Sequence, residues 1–467
     1  MDPNKVLSPY EVLVSLKDEI SKKDHVKFRD DMVSSIYAQA EEISKKVIKK
    51  NNTKKYDWDR KLDNILTSKF TGYPIMFLLL SLVFWITVTG ANLPSSLLAD
   101  FLFGIEARLS ALFINLNAPA WLHGVLVLGM YRTLAWVVSV MLPPMAIFFP
   151  CFTLLEDLGY LPRIAFNLDK LFKKAGTHGK QSLTMSMGFG CNAAGIIACR
   201  IIDSPRERLI AILTNNFVPC NGRFPTLIAI STIFIGGTVA SKYHSITATL
   251  FVCILVLFGI FMTLIVSWGL SKTLLKGIPS SFTLELPPYR RPQVGKILYR
   301  SLIDRTIFVL TRAVAVAAPA GLITWILANV FIKDQSILSY IAEFLQPLGH
   351  LIGMDGFILM AFILGLPANE IVLPILIMSY MSKGAMLELD SLKAMGDLLV
   401  KNGWTWLTAL NVMLFSLLHF PCATTLWTIR KECGSLKWTL FAAIMPTLIA
   451  ISTCFIITQT VKLLGLI

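Results

Sequence analysis

Long apolar runs constrain this chain most, because about 20 consecutive apolar residues let an α-helix cross the hydrocarbon core of a bilayer. Eight such runs occur, at residues 72–94, 133–155, 209–235, 245–270, 306–332, 357–381, 404–429 and 438–461. The composition agrees, since 55% of the 467 residues are hydrophobic and only 15% are charged. The sequence therefore predicts an all-α, polytopic membrane protein with about eight transmembrane helices.

A ninth apolar stretch, 181–199, is interrupted by glycines at 188, 190 and 195. Glycine weakens a helix, and the stretch is short for a complete crossing. It is therefore predicted to be broken or re-entrant.

Basic residues are concentrated in two segments between the apolar runs. Residues 163–208 contain eight Lys and Arg and residues 272–305 contain seven, whereas the loops at 95–120, 236–244 and 333–355 contain one each. Short cytoplasmic loops accumulate Lys and Arg, so the two basic segments are predicted to be cytoplasmic. This explains the net charge of +14 without a nucleic-acid partner.

The same rule places the turn holding Arg430, Lys431 and Lys437 in the cytoplasm. That placement requires the stretch 357–381 to enter and leave the membrane on the outer side. The sequence thus predicts two re-entrant stretches, one in each half of the chain.

An internal repeat accompanies these re-entrant stretches. A span is followed by "GFGCNAAG" (188–195) and then by "FVPCN" (217–221), and later a span is followed by "GLPANEIV" (365–372) and then by "HFPCA" (419–423). The loop charges give the two units opposite orientations. Inverted repeats are typical of transporters that bind substrate near the midplane on broken helices, where irregular backbone lines a cavity.

Thiols stand at matched places in this repeat. Cys191 and Asn192 belong to the first broken stretch, while Cys220 and Cys422 each follow a proline. Thiol and carbonyl donors suit a borderline transition metal such as ferrous iron. Packing is an equally open role for the three cysteines. The other five cysteines (Cys151, Cys199, Cys253, Cys433 and Cys454) are interpreted as packing residues, and no disulfide is expected.

Ionisable side chains within or beside the spans complete the candidate set. Glu370 lies in an otherwise uncharged run, and Glu156 and Asp157 end the second span. Ionisable residues at such depth are functional candidates. His419 is a weaker candidate ligand. Arg223 is expected to pair with a carboxylate such as Glu370 or Glu156, or to lie toward the interface.

Four long motifs carry a family resemblance: "LLEDLGYLPRIAF" (154–166), "HGKQSLTMSMGFGCNAAGIIACR" (178–200), "SPRERLIAIL" with "PCNGRFP" (204–225), and "FPCATTLWTIRKECGSLKWTL" (420–440). They resemble the membrane part of bacterial ferrous iron transport protein B, FeoB, over roughly residues 58–465.

The resemblance implies two inverted Gate repeats that move Fe2+ inward across the bacterial inner membrane. It implies Fe2+ as cargo, no permanently bound cofactor and a cytoplasmic N-terminus. By position it selects Cys191 and Cys220 in the first Gate and Cys422 in the second. Glu370 matches the family's pattern, but a neighbouring lysine of many members is absent here.

The family normally begins with a GTP-binding domain, and this sequence contains no G-x-x-x-x-G-K-[ST] phosphate loop. The chain is therefore not expected to be an enzyme. Candidate partners are a separate GTPase, a small accessory protein of the same uptake system, a second copy of the chain, and the lipid bilayer.

The motifs predict five segments. They are a cytoplasmic helical segment resembling a spacer (1–65), a first transmembrane helix with an outer loop (66–130), the first Gate repeat (131–271), a cytoplasmic basic loop (272–305) and the second Gate repeat (306–467). Two other functions remain open, namely a Gate-type transporter of a nucleoside or other organic solute, and a non-transporting membrane scaffold.

Overall fold

The computed structural model describes residues 25–47, 54–235, 244–277, 289, 292–333, 335–381 and 392–465. Nearly all of them are helical, and the strands in this part of the chain are two antiparallel pairs of residues, β1 (Phe331–Ile332) and β2 (Gln335–Ser336). Residues 236–243 of one predicted loop, and residues 278–288, 290 and 291 of the predicted basic loop, lie outside the described residues.

The N-terminal third differs from the sequence prediction in its helix lengths. Its elements are α1 (His25–Val47), α2 (Lys54–Leu66), α3 (Lys69–Asn115), α4 (Ala120–His123), a π-helix (Gly124–Tyr131) and α5 (Arg132–Asp157). Helix α3 has 47 residues and is about 70 Å long at 1.5 Å per residue. The predicted outer loop at 95–120 is therefore mostly helix.

Helix α3 runs without a break past Pro94 to Asn115, and the chain then turns at Asn117, which adopts a left-handed φ of 48°. A buried polar contact also holds its second half in place. The guanidinium of Arg132 in α5 donates through Nε to Glu106 of α3 at 2.9 Å. The helix thus packs along α5 beyond the roughly 30 Å of a bilayer core.

The first repeat consists of α5 and a series of short helices before one long helix. Its elements are α6 (Tyr160–Lys174), α7 (Gln181–Gly190), α8 (Asn192–Ala198), a 3-10 turn (Cys199–Ile201), α9 (Pro205–Thr214), a second 3-10 turn (Asn215–Phe217), α10 (Phe224–Phe234) and α11 (His244–Lys272).

The second repeat has the same order of broken and long helices. The predicted basic loop before it contains α12 (Val294–Arg300) and most of a π-helix (Ser301–Ile307). The elements of the second repeat are α13 (Phe308–Asn329), α14 (Ile337–Leu351), α15 (Gly356–Leu364), a 3-10 turn (Asn369–Ile371), α16 (Val372–Tyr380), α17 (Leu392–Lys401), α18 (Trp406–Leu418), α19 (Ala423–Cys433) and α20 (Leu436–Leu463).

Six helical segments of the described chain are long and apolar enough to cross a membrane, and a seventh is possible if α14 and α15, bent by 112°, form one span. These six match six of the eight predicted spans. The predicted span at 209–235 is instead broken between α9 and α10, at a segment containing Pro219 and Gly222. The stretch at 357–381 is broken at Gly365 and Pro367, as a re-entrant segment requires.

The short helices of each repeat pack against those of the other. Helix α8 lies against α19, and α10 lies against α18. The largest buried cluster surrounds this crossing and includes Leu227, Met360 and Phe415. The breaks near Cys191, Cys220, Ala368 and Cys422 therefore lie at the interface between the repeats.

An ion pair ties the N-terminal helices to the first repeat. The buried guanidinium of Arg163 donates to Asp63 at 2.9 Å and lies 4.1 Å from the ring centre of Tyr289. The phenol of Tyr289 donates to the same carboxylate at 2.8 Å. Burial, together with this hydrogen bond, raises the pKa of Tyr289 to about 12, so the phenol remains a donor at neutral pH.

Candidate functional site

A small cavity of about 30 Å³ lies where four helix breaks meet. We call it the central cavity. Side chains from both repeats line it, principally Cys191, Asn192, Cys220, Asn369, Glu370 and Cys422. The structure thus brings together five of the eight residues that the sequence singled out.

The two re-entrant breaks share one backbone geometry. Cys191, between α7 and α8, has φ and ψ of −156° and 125°, and Ala368, before the 3-10 turn of the second repeat, has −152° and 122°. An asparagine follows in each case, Asn192 or Asn369. A site with the full symmetry of the repeat would contain four thiols, and Ala368 stands where the fourth cysteine would be.

Each repeat has a second break, which contains the cysteine that follows a proline. Equivalent backbone hydrogen bonds join this break to the re-entrant break of the same repeat. The amide of Asn221, directly after Cys220, donates to the carbonyl of Gly190 at 3.3 Å. The amide of Ala423, directly after Cys422, donates to the carbonyl of Leu366 at 2.8 Å. These bonds hold each proline-linked thiol beside the re-entrant break of its own repeat.

The thiols make weak polar contacts. The amide nitrogen of Asn369 donates to Cys220 Sγ at 3.9 Å, and Cys422 Sγ lies 3.2 Å from the hydroxyl of Thr425. Cys191 and Cys220 are each 9% exposed. Sulfur makes only weak hydrogen bonds, so these contacts leave the thiols available to a ligand.

Glu370 supplies the carboxylate of the cavity. It is 8% exposed, and no cationic side chain among the described residues pairs with it. Gly222 lies directly against it, since a Cβ on Gly222 would overlap the carboxylate oxygen. A buried carboxylate without a cation is costly, which makes it a strong partner for a positively charged ligand.

Two asparagines flank the thiols. In the orientation that satisfies its hydrogen bonds, Asn192 donates to the carbonyls of Gly188 and Val218 at 3.1 and 3.2 Å. Asn369 was not singled out from the sequence. It is 5% exposed, and its Oδ1 atom has no partner among the described residues. Aligning "CN" of the first repeat with "AN" of the second would have identified it.

His419, Glu156 and Asp157 lie away from the central cavity. His419 is buried behind the break, where its Nδ1 contacts the carbonyls of Phe415 and Ser416 at 2.9 and 3.0 Å. Asp157 accepts from the backbone amide of Gln293 at 3.2 Å.

Glu156 lines a second space of about 600 Å³, which we call the inner vestibule because the loop charges predict that it faces the cytoplasm. Thr425 lines the central cavity and Thr428 lines the inner vestibule, so one turn of α19 separates the two. The structure therefore places Glu156 beside a neighbouring space, at the end of α5.

Arg223 contradicts the predicted pairing with a carboxylate. Its guanidinium is fully buried. Among the described residues its two Nη atoms donate to oxygens of the two broken segments, and Nε has no partner. Nη1 donates to the carbonyls of Asn216 and Leu417 at 2.9 and 2.8 Å, and Nη2 donates to the side-chain oxygen of Asn216 and the carbonyls of His419 and Phe420 at 3.0–3.3 Å. The carbonyls that the breaks leave unpaired satisfy the cation instead.

The described residues contain no group of three or more His, Cys, Asp or Glu side chains close enough to hold a metal ion. The three thiols and Glu370 surround one cavity without converging on a point. The arrangement therefore offers thiol, carboxylate and amide donors that would have to move closer together to coordinate one ion.

Comparison with known proteins gives a consistent assignment. The family model described as "Gate: Nucleoside recognition" matches residues 138–234 and 310–436, and "Ferrous iron transport protein B C terminus" matches residues 252–304 between them. No solved structure matches the chain.

Relatives named "Fe(2+) transporter FeoB" match nearly the whole chain. The protein of Staphylococcus aureus is 30% identical over 96% of this chain, and that of Methanocaldococcus jannaschii is 29% identical over 97%. This chain spans 66% of the length of each, just under two thirds. The protein of Leptospira biflexa is 28% identical over 88% of this chain and 61% of its own length. The chain therefore belongs to the FeoB family and corresponds to the membrane region of its longer relatives.

Proposed function

We propose that this chain is a membrane permease for ferrous iron, with the central cavity as its transport site. One observation carries the proposal: three thiols and an unpaired carboxylate from both repeats surround one buried cavity. Soft thiolates with a carboxylate and an amide oxygen suit a borderline divalent metal better than Mg2+ or Ca2+, which prefer oxygen ligands alone. The names of the relatives agree with this cargo.

The proposed transport mechanism depends on the small size of the central cavity and on the helix breaks around it. A cavity of about 30 Å³ holds roughly a single water-sized particle, so a hydrated ion must shed most of its water to enter. Glu370 would compensate the charge of the ion, and the thiols would replace its water ligands with release of protons. Movement of the half-helices would then open the cavity toward Glu156 and the inner vestibule.

Uptake of radiolabelled Fe2+ under reducing conditions, into proteoliposomes containing this chain, tests the proposal. Cys191→Ser, Cys422→Ser and Glu370→Gln should each reduce uptake strongly. Cys253→Ser is the matched control, because Cys253 lies on α11 outside the cavity and should tolerate the change. Equal uptake by all four variants and the unmodified chain would overturn the assignment of the site.

The description of the Gate family supports a second candidate cargo, a nucleoside. The cavity size argues against it, because pockets for organic ligands usually measure about 300–1,000 Å³. The same vesicles can be loaded with a labelled nucleoside. Nucleoside uptake without iron uptake would favour this alternative, and no flux of either cargo would favour a scaffold.

We also propose that a GTPase acts on this membrane region by docking on helix α1. Helix α1 presents apolar side chains outward, with Ile36, Ile43 and Val47 all more than half exposed. Adding a soluble GTPase with GTP should then raise iron uptake, and deleting residues 1–47 should abolish only that increase. An increase that survives the deletion would exclude α1 as the docking segment.

A further inference from the structure

The inner vestibule has a chemistry that the transport of iron does not explain. It measures about 600 Å³, some twenty times the central cavity. Its walls are largely apolar and include Phe149, Phe152, Leu183, Met187 and Ile197. A pocket of this size and lining is typical of a site for an organic ligand, because apolar walls give little stabilisation to a hydrated dication.

Cationic side chains surround the opening of this apolar pocket. Arg200, Arg312 and Lys431 line it, against the carboxylates of Glu156 and Glu432. Arg200 is paired with Glu432 at 2.6 Å, and Arg312 donates to the hydroxyl of Thr428 at 3.1 Å. The ammonium of Lys431 forms no ion pair with any described residue. The opening therefore has a positive charge available for an anion.

The vestibule lies at the end of the molecule that the loop charges predict to face the cytoplasmic surface of the bilayer. It is bounded by the end of α5, the first turns of α13 and the end of α19, and so by both repeats. This end of the molecule carries the basic segments that the loop-charge rule places at the cytoplasmic surface. Basic pockets between transmembrane helices on this side are suited to the head groups of anionic lipids.

We propose that the inner vestibule binds an anionic phospholipid. One acyl chain lies between Phe152, Met187 and Ile197, and the phosphate lies beside Lys431. Because α5 and α8 belong to one repeat and α13 and α19 to the other, the lipid bridges the two repeats. It also occupies the space beside Glu156, so lipid binding and opening of the central cavity toward this side compete.

The test measures binding of phosphatidylglycerol to the full chain in detergent without iron. Native mass spectrometry detects the bound lipid, and the shift in melting temperature reports how far the lipid stabilises the protein. Phosphatidylcholine with the same acyl chains is the neutral comparison. Phosphatidylglycerol should bind and stabilise the protein more strongly. Lys431→Ala should weaken its binding about five-fold, the value of one lysine at a membrane surface.

Arg430→Ala is the matched control, because Arg430 is the neighbouring cation on α19 and does not line the vestibule. It should bind phosphatidylglycerol as the unmodified chain does. Ala198→Trp fills the apolar part without changing charge and should also weaken binding. The melting temperature of each variant without lipid shows whether it is folded.

Two results would overturn the proposal. One is equal binding of the charged and neutral lipids by the unmodified chain. The other is binding of glycerol phosphate or inorganic phosphate as tight as that of the lipid, which would assign the site to a soluble phosphate compound. Neither result depends on iron transport, so the proposed permease function would stand or fall separately.

Discussion

The side-chain amide of Asn216 donates to the carbonyl oxygen of His419 at 2.6 Å and so joins the broken segment of the first repeat to that of the second. Arg223 strengthens this link through both Leu417 and Phe420. We call these contacts the repeat clamp. A buried guanidinium is well suited to this position, because its planar fork offers five donors in fixed directions.

The repeat clamp predicts that Arg223→Lys is destabilising although it keeps the charge. Lysine has three donors for the five oxygens that Arg223 contacts. Because His419 O keeps the amide of Asn216, at least one buried oxygen loses its partner, at about 1–3 kcal/mol. We expect a large fall in melting temperature and a loss of iron uptake. Arg430→Lys, at an exposed site, should change stability by less than about 0.5 kcal/mol. Unchanged stability of Arg223→Lys would show that the clamp is unimportant.

The close contact of Gly222 with Glu370 predicts that Gly222→Ala impairs transport. The new methyl group would displace the carboxylate, because a Cβ there overlaps its oxygen. Uptake should fall to about the level of Glu370→Gln. The double variant should transport no worse than either single one, since both changes act on the same group. Additive losses would place the effect of Gly222 elsewhere.

Two helical glycines should respond oppositely to alanine. A Cβ on Gly195 would lie 2.7 Å from the side chain of Asn215 and 2.9 Å from the carbonyl of Thr184, whereas a Cβ on Gly269 meets nothing within 4 Å. Gly195→Ala should therefore destabilise the protein by about 1–3 kcal/mol. Gly269→Ala should stabilise it by up to about 1 kcal/mol. Thermal unfolding in detergent compares them, and equal shifts would contradict the packing described here.

The ion pair between Asp63 and Arg163 holds α2 against α6. We therefore expect Asp63→Asn to lower the free energy of unfolding. Arg163 would stay buried without its carboxylate, at about 2 kcal/mol or more. Asp203→Asn is the control, because Asp203 pairs with Lys180 at 2.9 Å but is 81% exposed. That change should cost less than about 1 kcal/mol. Thermal unfolding of both variants would measure the difference.

Stability should also fall in mild acid through His178. Burial lowers the pKa of this imidazole, with Glu207, Asp169 and Asp203 opposing the shift and Lys180 adding to it. The neutral form is thus favoured in the folded state, and its contribution is present above the ordinary pKa of about 6.5 and lost as the pH falls below it. The decline in melting temperature between pH 7.5 and 5.5 should be smaller in His178→Gln. An identical decline would remove His178 as a cause.

Much of the candidate site follows from local sequence signals. Cys191, Cys220 and Cys422 stand beside glycine or proline breaks, and such breaks at membrane depth require a cavity to line. The order of these breaks repeats, so their meeting at one interface could be predicted. Glu370 was identified by the same logic, because it is an isolated charge in an apolar run.

The missed features depend on contacts between distant segments. Asn369 becomes a cavity residue only when its break meets Cys220, 149 residues earlier in the chain. Arg223 binds backbone carbonyls that are free only because α18 ends at Leu418, and no side-chain pattern records them. The second half of α3 is held against α5 by the pairing of Glu106 with Arg132, two residues 26 positions apart that no local pattern joins.

The repeat clamp also bears on how such a protein avoids a leak. Because Asn216 and Arg223 bind the carbonyls of the opposite repeat, neither pair of half-helices can swing away without breaking bonds that the other pair shares. Because the two repeats share these hydrogen bonds, opening the cavity on both faces at once would break several of them. The clamp would then act as an interlock that keeps protons and water from crossing while the ion is exchanged.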